Sequence, residues 1–99
     1  MPTLVFAKFA INDHIGYSRY VELATPIFLR EKVIIHASDE EPQALSPDMQ
    51  ADKVVLLEFR DHSHFKHFFS QIDYIEVAKI RDAASTISAT VFERFEMPK

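Results

Sequence analysis

The chain has 99 residues, 47% hydrophobic and 26% charged, which is enough for one core and too few for two. It contains no cysteine, so disulfides, thiolate metal ligation and cysteine nucleophiles are excluded together. A formal net charge of −4 argues against a nucleic-acid partner, which would need a basic face.

The opening residues, MPTLVFAKFAIND, lack a basic segment followed by a long apolar run. No stretch approaches the roughly 18 apolar residues of a membrane span. The expectation is therefore a single cytoplasmic domain, residues 1–99, with no membrane partner. TLVFAKFAI (3–11) is rich in β-formers and predicts a strand. NDHIGYSRYVELATPIFL follows, with Asn12 or Asp13 as N-cap. Its apolar residues Ile15, Tyr17, Tyr20, Val21, Ala24, Ile27 and Phe28 recur at helical steps. Pro26 should kink or end this helix, because proline removes a donor and crowds the preceding turn.

KVIIHAS (32–38) predicts a second strand. DEEPQALSPDMQAD then collects Asp39, Glu40, Glu41, Asp48 and Asp52 without a lysine or arginine, a solvated acidic loop with neither the ligand spacing nor the glycine of a calcium loop. KVVLLEFR (53–60) predicts a third strand. Asp61 caps a helical region over about 62–84, and TISATVFERFE (86–96) completes the order β-α-β-β-α-β. This is the ferredoxin-like α+β pattern, an antiparallel sheet with both helices on one face.

Alternation along the strands sorts the sheet into two faces. Val5, Ala7, Phe9, Val33, Ile35, Val55, Leu57, Phe59, Ile87, Ala89 and Val91 form a wholly apolar set suited to lie under the helices. The other set mixes Leu4, Phe6, Ile34, Val54, Leu56 and Phe92 with Lys8, His36, Glu58 and Arg94. Left in water, it would make a large apolar patch; a second copy of the sheet packed against it predicts a homodimer.

The stretch HSHFKHFF (62–69) invites a metal reading. At about 100° per residue, Phe65, Phe68, Phe69 and Ile72 fall in one stripe, while His62, His64 and His67 point in different directions. His64 and His67 could offer two imidazoles, but no acidic ligand lies one turn further on. The expectation is core-facing phenylalanine flanked by solvated histidine, with no metal.

Several features of the second half resemble the domain-of-unknown-function 1330 family. They are Glu58-Phe59 closing a strand, the paired Phe68-Phe69, Ser70 with Asp73-Tyr74, Arg81 seven residues after Tyr74, and Ala83-Ala84 before the last strand. The first half matches more loosely, through Tyr17 or Tyr20 and Pro26. It lacks the family's usual Gly-Gly pair before the second strand; the single glycine is Gly16, so the first helix must end without a glycine cap. His36 falls near the family's basic residue. The resemblance implies a dimeric α+β barrel, in which two sheets face each other. That wider group includes cofactor-free monooxygenases, muconolactone isomerases and haem enzymes, so architecture is implied more firmly than activity.

The candidate site residues divide into two groups. Tyr74 and Arg81 share a helix face, where a guanidinium among apolar residues reads either as an anion clamp with Tyr74 as donor or as a structural arginine paired locally. Tyr17 and Tyr20 on the first helix could line a cavity or simply belong to the core with a wet hydroxyl, and Tyr20 joins the substrate-binding candidates. Glu58 and His36, with Lys8 nearby, read either as a general base near a histidine or as a polar cluster fixing the dimer register. Two functions remain open. One is binding, or transforming without a cofactor, a small hydrophobic or aromatic acid held by Arg81, Tyr74 and Tyr20, with Glu58 or His36 moving a proton. The other is a dimer without activity. A haem enzyme would need an axial histidine aimed into a cavity, and His36 is the candidate.

Overall fold

The computed structural model describes residues 1–98. It runs β1 (Thr3–Ile11), α1 (His14–Arg30), β2 (Ile34–Asp39), β3 (Lys53–Phe59), α2 (His62–Ser70), α3 (Ile72–Ala84) and β4 (Ser85–Glu93), with one 3-10 turn at Pro47–Met49 in the acidic loop. The strands lie in the order β2-β3-β1-β4, and every neighbouring pair is antiparallel. This is the ferredoxin-like α+β arrangement expected from the element order. The molecule is only 16 Å through its thinnest dimension, room for one helical layer on one sheet.

Local chemistry explains the helix ends. Asp13 is the N-cap of α1, its carboxylate accepting from the Gly16 N–H at 3.0 Å. Tyr17, Tyr20, Ala24, Ile27 and Phe28 form its buried side, whereas Ile15, expected in that stripe, is exposed. Pro26 does not end the helix, which continues to Arg30. Pro26 and Glu22 are both exposed, so the carbonyl that proline leaves without a donor faces solvent. The true end comes at Lys32, which takes the left-handed conformation (φ 60°) usually filled by glycine. The Lys32 N–H donates to the Leu29 carbonyl (3.2 Å) and the Val33 N–H to the Phe28 carbonyl (3.0 Å). Val33 and Phe28 are both buried, which completes a Schellman turn without the glycine pair.

The second helical region differs from its prediction. Asp61 caps it as expected, accepting from the His64 N–H at 2.8 Å, but the helix breaks at Gln71, whose backbone is extended. Neither proline nor glycine marks the break. A tertiary network holds it: Gln71 donates to Glu31 (2.7 Å), while Arg30 donates to Gln71 (2.5 Å) and to Asp73 (2.6 Å). The break resets the helical phase, and Ile72, expected in the apolar stripe, is 79% exposed. Phe65, Phe68 and Phe69 do pack inward. His64 overturns the expectation of a solvated histidine. It is buried, its Nδ1 accepts from the Arg60 N–H (3.0 Å), and its Nε2 therefore carries the proton donated to the Glu31 carbonyl (2.7 Å).

The two sheet faces separate largely as alternation predicts. Val5, Ala7, Phe9, Leu57 and Phe59 are buried in one cluster with the inward residues of the helices. On the outer face Leu4, Phe6, Val54 and Leu56 are half-buried, and Ile34 and Phe92 are 50% and 42% exposed, with no helix above them. In β2 the register shifts between Ile35 and Ala37, and Ser38 rather than Ala37 then joins the helix-side face opposite Val55.

Candidate functional site

The helices do not close completely onto the sheet. Between them lies a partly open cavity of about 450 Å³, bounded by residues from all four strands and all three helices. Its floor includes Val5, Ala7 and Leu57, and Phe28, Phe65 and Phe69 contribute aromatic walls. Tyr17, Tyr20, Lys53, Tyr74 and Arg81 bring polar groups to this apolar space, as do the hydroxyls of Thr25, Ser38 and Thr90. A few polar groups among apolar walls is the usual make-up of a small-molecule site.

Three of these groups meet. The Tyr20 and Tyr74 hydroxyls are 2.7 Å apart, and Arg81 donates from Nη1 to the Tyr74 oxygen at 3.1 Å. Either hydroxyl can be the donor between the tyrosines, but only one proton is used there. The other hydroxyl proton is uncommitted. Arg81 directs Nε and Nη2 to Asp82, each at 3.1 Å, while each of its Nη nitrogens keeps a second N–H. Its side chain is 16% exposed and lines the cavity, with the guanidinium carbon 5.9 Å from the centre of the Tyr20 ring. Burial raises the pKa of all three tyrosines: Tyr17 is pushed up to about 12, and Tyr20 and Tyr74 are also raised, Tyr74 against the opposing pull of Tyr20 and Arg81. All three are neutral donors at neutral pH. Burial works against the Arg81 charge, but Tyr74, Tyr20 and Asp82 outweigh it and raise its pKa.

The second cation of the cavity, Lys53, is missing from the sequence-based list. It opens β3, and alternation with Val55 and Leu57 turns it to the helix side, where it is 5% exposed with its ammonium 4.9 Å from the centre of the Tyr17 ring. The signal was available in the period of two: Lys53 occupies the phase of an otherwise apolar set. Burial pushes its pKa down, with a smaller opposing pull from Glu40.

The other predicted group lies elsewhere. His36 and Glu58 do meet, with Nε2 to Oε1 at 3.1 Å, and Arg94 donates to the same oxygen at 3.3 Å. Glu58 stands opposite Leu4 and Ile34 on the outer face, so neither it nor His36 reaches the cavity. The pleat puts one backbone layer between them and any ligand there, which removes both as proton-moving groups for that ligand and His36 as an axial ligand in it. Lys8 does not join them; its ammonium meets the Asp48 carbonyl of the acidic loop. Among the described residues, no group of histidine and carboxylate side chains is arranged to hold a metal ion, and no helix is long and apolar enough to cross a membrane.

The family profile described as "Domain of unknown function (DUF1330)" matches residues 2–95. No curated protein matches the chain in sequence. Among solved structures, a protein of unknown function from Rhodopseudomonas palustris superposes with a TM-score of 0.82 at 17% identity, over 97% of this chain and 84% of that one. SnoaB, a cofactor-independent oxygenase from Streptomyces nogalater, gives 0.69 at 14% identity over 97% and 95%. A protein of unknown function from Bacteroides fragilis, described as dimeric and ferredoxin-like, gives 0.65 at 11% identity over 94% and 96%. At these identities the likeness is one of fold.

Proposed function

The chain belongs to the DUF1330 family, and we propose that its cavity binds a small hydrophobic or aromatic acid, with Arg81 receiving the carboxylate and Tyr74 and Tyr20 orienting it. The observation that carries this reading is the uncommitted hydroxyl proton of the Tyr20–Tyr74 pair beside a guanidinium with N–H groups to spare, all on one apolar cavity. A carboxylate completes both donor sets at once, and the aromatic walls receive the rest of the molecule. Transformation of that ligand without a cofactor is the catalytic extension of the reading. It draws support from the activity named for the Streptomyces nogalater protein of the same fold. The protein acts as a homodimer joined through the outer sheet faces, consistent with the apolar patch there and with the dimeric description of the Bacteroides fragilis neighbour.

The competing reading, a dimer without a ligand, has one observation in its favour: Arg81 is already paired with Asp82. Thermal shift against a panel of aromatic and aliphatic acids separates the two. A ligand at a hundred times its Kd adds about 2.7 kcal/mol, readily seen in so small a domain. Arg81→Ala should lose that shift while remaining folded. Absence of any stabilising acid, with Arg81→Ala unfolded, would favour the structural dimer.

A further inference from the structure

We propose that Lys53 is a second anion-receiving group in this cavity, and that the ligand is an apolar acid carrying another anionic oxygen remote from its carboxylate. This rests on the acid-binding reading above and narrows its substrate class from monoacids to diacids and acidic phenols.

Lys53 is 5% exposed and its ammonium meets solvent only through the open cavity, where it has no hydrogen-bond or ion-pair partner among the described residues. The face of Tyr17 meets the charge, but an ammonium directs N–H donors in several directions and a ring face answers only one. Charges withdrawn from solvent are ordinarily paired, because an unpaired one gives up part of its hydration without return. Lys53 departs from that rule inside a chain of net charge −4, where carboxylates are plentiful. Glu40 is exposed and acts on it only through space, and Asp82 is committed to Arg81.

The placement of the two cations extends the argument. Lys53 lies over Tyr17 and Arg81 over Tyr20, residues three apart on α1 whose ring centres are 5.7 Å from each other. The cavity therefore presents two separate cations on adjacent rings. Monoacid binding at Arg81 would leave Lys53 uncompensated. A second anionic oxygen on the same ligand answers it, and restores the lysine charge that burial disfavours.

The test is calorimetric titration with benzoate, isophthalate and terephthalate on the wild type, Lys53→Met, Lys53→Arg and Arg81→Ala. At least one diacid should bind the wild type about tenfold or more tighter than benzoate. Lys53→Met should abolish that advantage, bringing diacids to within about twofold of benzoate on the same variant, and melt no lower than the wild type, since an apolar chain replaces an unpaired, largely withdrawn charge. Lys53→Arg should retain most of the advantage and supports the proposal on its own should the methionine variant fail to fold. Benzoate binding through Arg81 with no gain from any diacid overturns the second anion point and leaves the first reading standing. A diacid advantage that survives in Lys53→Met also overturns it. If no acid binds the wild type, both readings fall.

Discussion

On the outer face of the sheet, one oxygen of Glu58 is shared by His36 at 3.1 Å and Arg94 at 3.3 Å, and Arg94 goes on to Glu96 at 2.9 Å. On the helix face, one backbone layer away, Lys53 has no partner among the described residues, Arg81 keeps N–H groups in reserve, and the Tyr20–Tyr74 pair has a proton to give. Both faces set ionisable groups among large hydrophobes, but on the helix face Arg81 alone is paired, with Asp82, and Lys53 goes unanswered. A polar network that is complete within the fold fixes geometry; one left short of acceptors is stabilised by something that arrives from outside. Reading candidate residues by type alone had placed Glu58 and His36 with the chemistry. Counting what each group still lacks favours the other side of the sheet, the side of the proposed acid site.

Three experiments would break or sharpen this contrast. Leu56→Asp sets a carboxylate opposite Phe6 in the middle of the outer face. If the outer faces pair, the variant buries an unanswered charge worth about 3–5 kcal/mol and should sediment as a monomer, with an unchanged mass arguing against pairing through this face. Glu58→Gln should lower stability in urea by about 1–3 kcal/mol, because the amide oxygen can still accept but the negative charge that answers Arg94 is gone. Acid affinity in the cavity should stay within about twofold, and a tenfold loss would show that the two faces are not separate systems.

The smallest effect concerns the exposed junction of α1 with α3. There Arg30 holds the Asp73 carboxyl below its ordinary 3.8, and Arg30 and Gln71 hold that of Glu31 below its ordinary 4.5. Depressed carboxyl values mean that the folded chain binds fewer protons than the unfolded one in acid. The contribution is therefore complete above about pH 5 and is lost as the pH falls through the folded values. Asp73→Asn should flatten part of the acid limb in denaturation series from neutral pH downwards, and more so at low salt. Superimposable limbs for wild type and variant would remove Asp73 from the account.

Much of the fold was legible because it rests on local rules. Period-two strands, the Asp13 and Asp61 caps and the phenylalanine stripe of α2 are written in neighbouring residues. What escaped was set by partners far along the chain. His64 is buried because a carbonyl 33 residues away accepts its proton, and α2 stops at Gln71 because Glu31 and Arg30 claim that side chain. The helix runs on past Pro26, since on an exposed helix surface water can answer the carbonyl it strands. At the site, the contact of Tyr74 with Arg81 followed from a seven-residue spacing on one helix. Tyr20 joined them only through the packing of α1 on α3. Lys53 was legible from strand phase, two residues before Val55, but the helix-side set was read only from Val55 onwards.

The chain's single glycine lies where those two helices meet. A Cβ at Gly16 would come within 2.6 Å of Asp13 Oδ2 and 3.2 Å of the Ala84 Cβ, and the Ala84 carbonyl also accepts from the N–H groups of Asn12 and Asp13. The start of α1, one residue before Tyr17, is thereby clamped to the end of α3, one turn beyond Arg81. Folding itself thus limits the freedom of the tyrosines and the guanidinium relative to one another. For the acid proposed above, the entropy of arranging those donors would be largely met in advance.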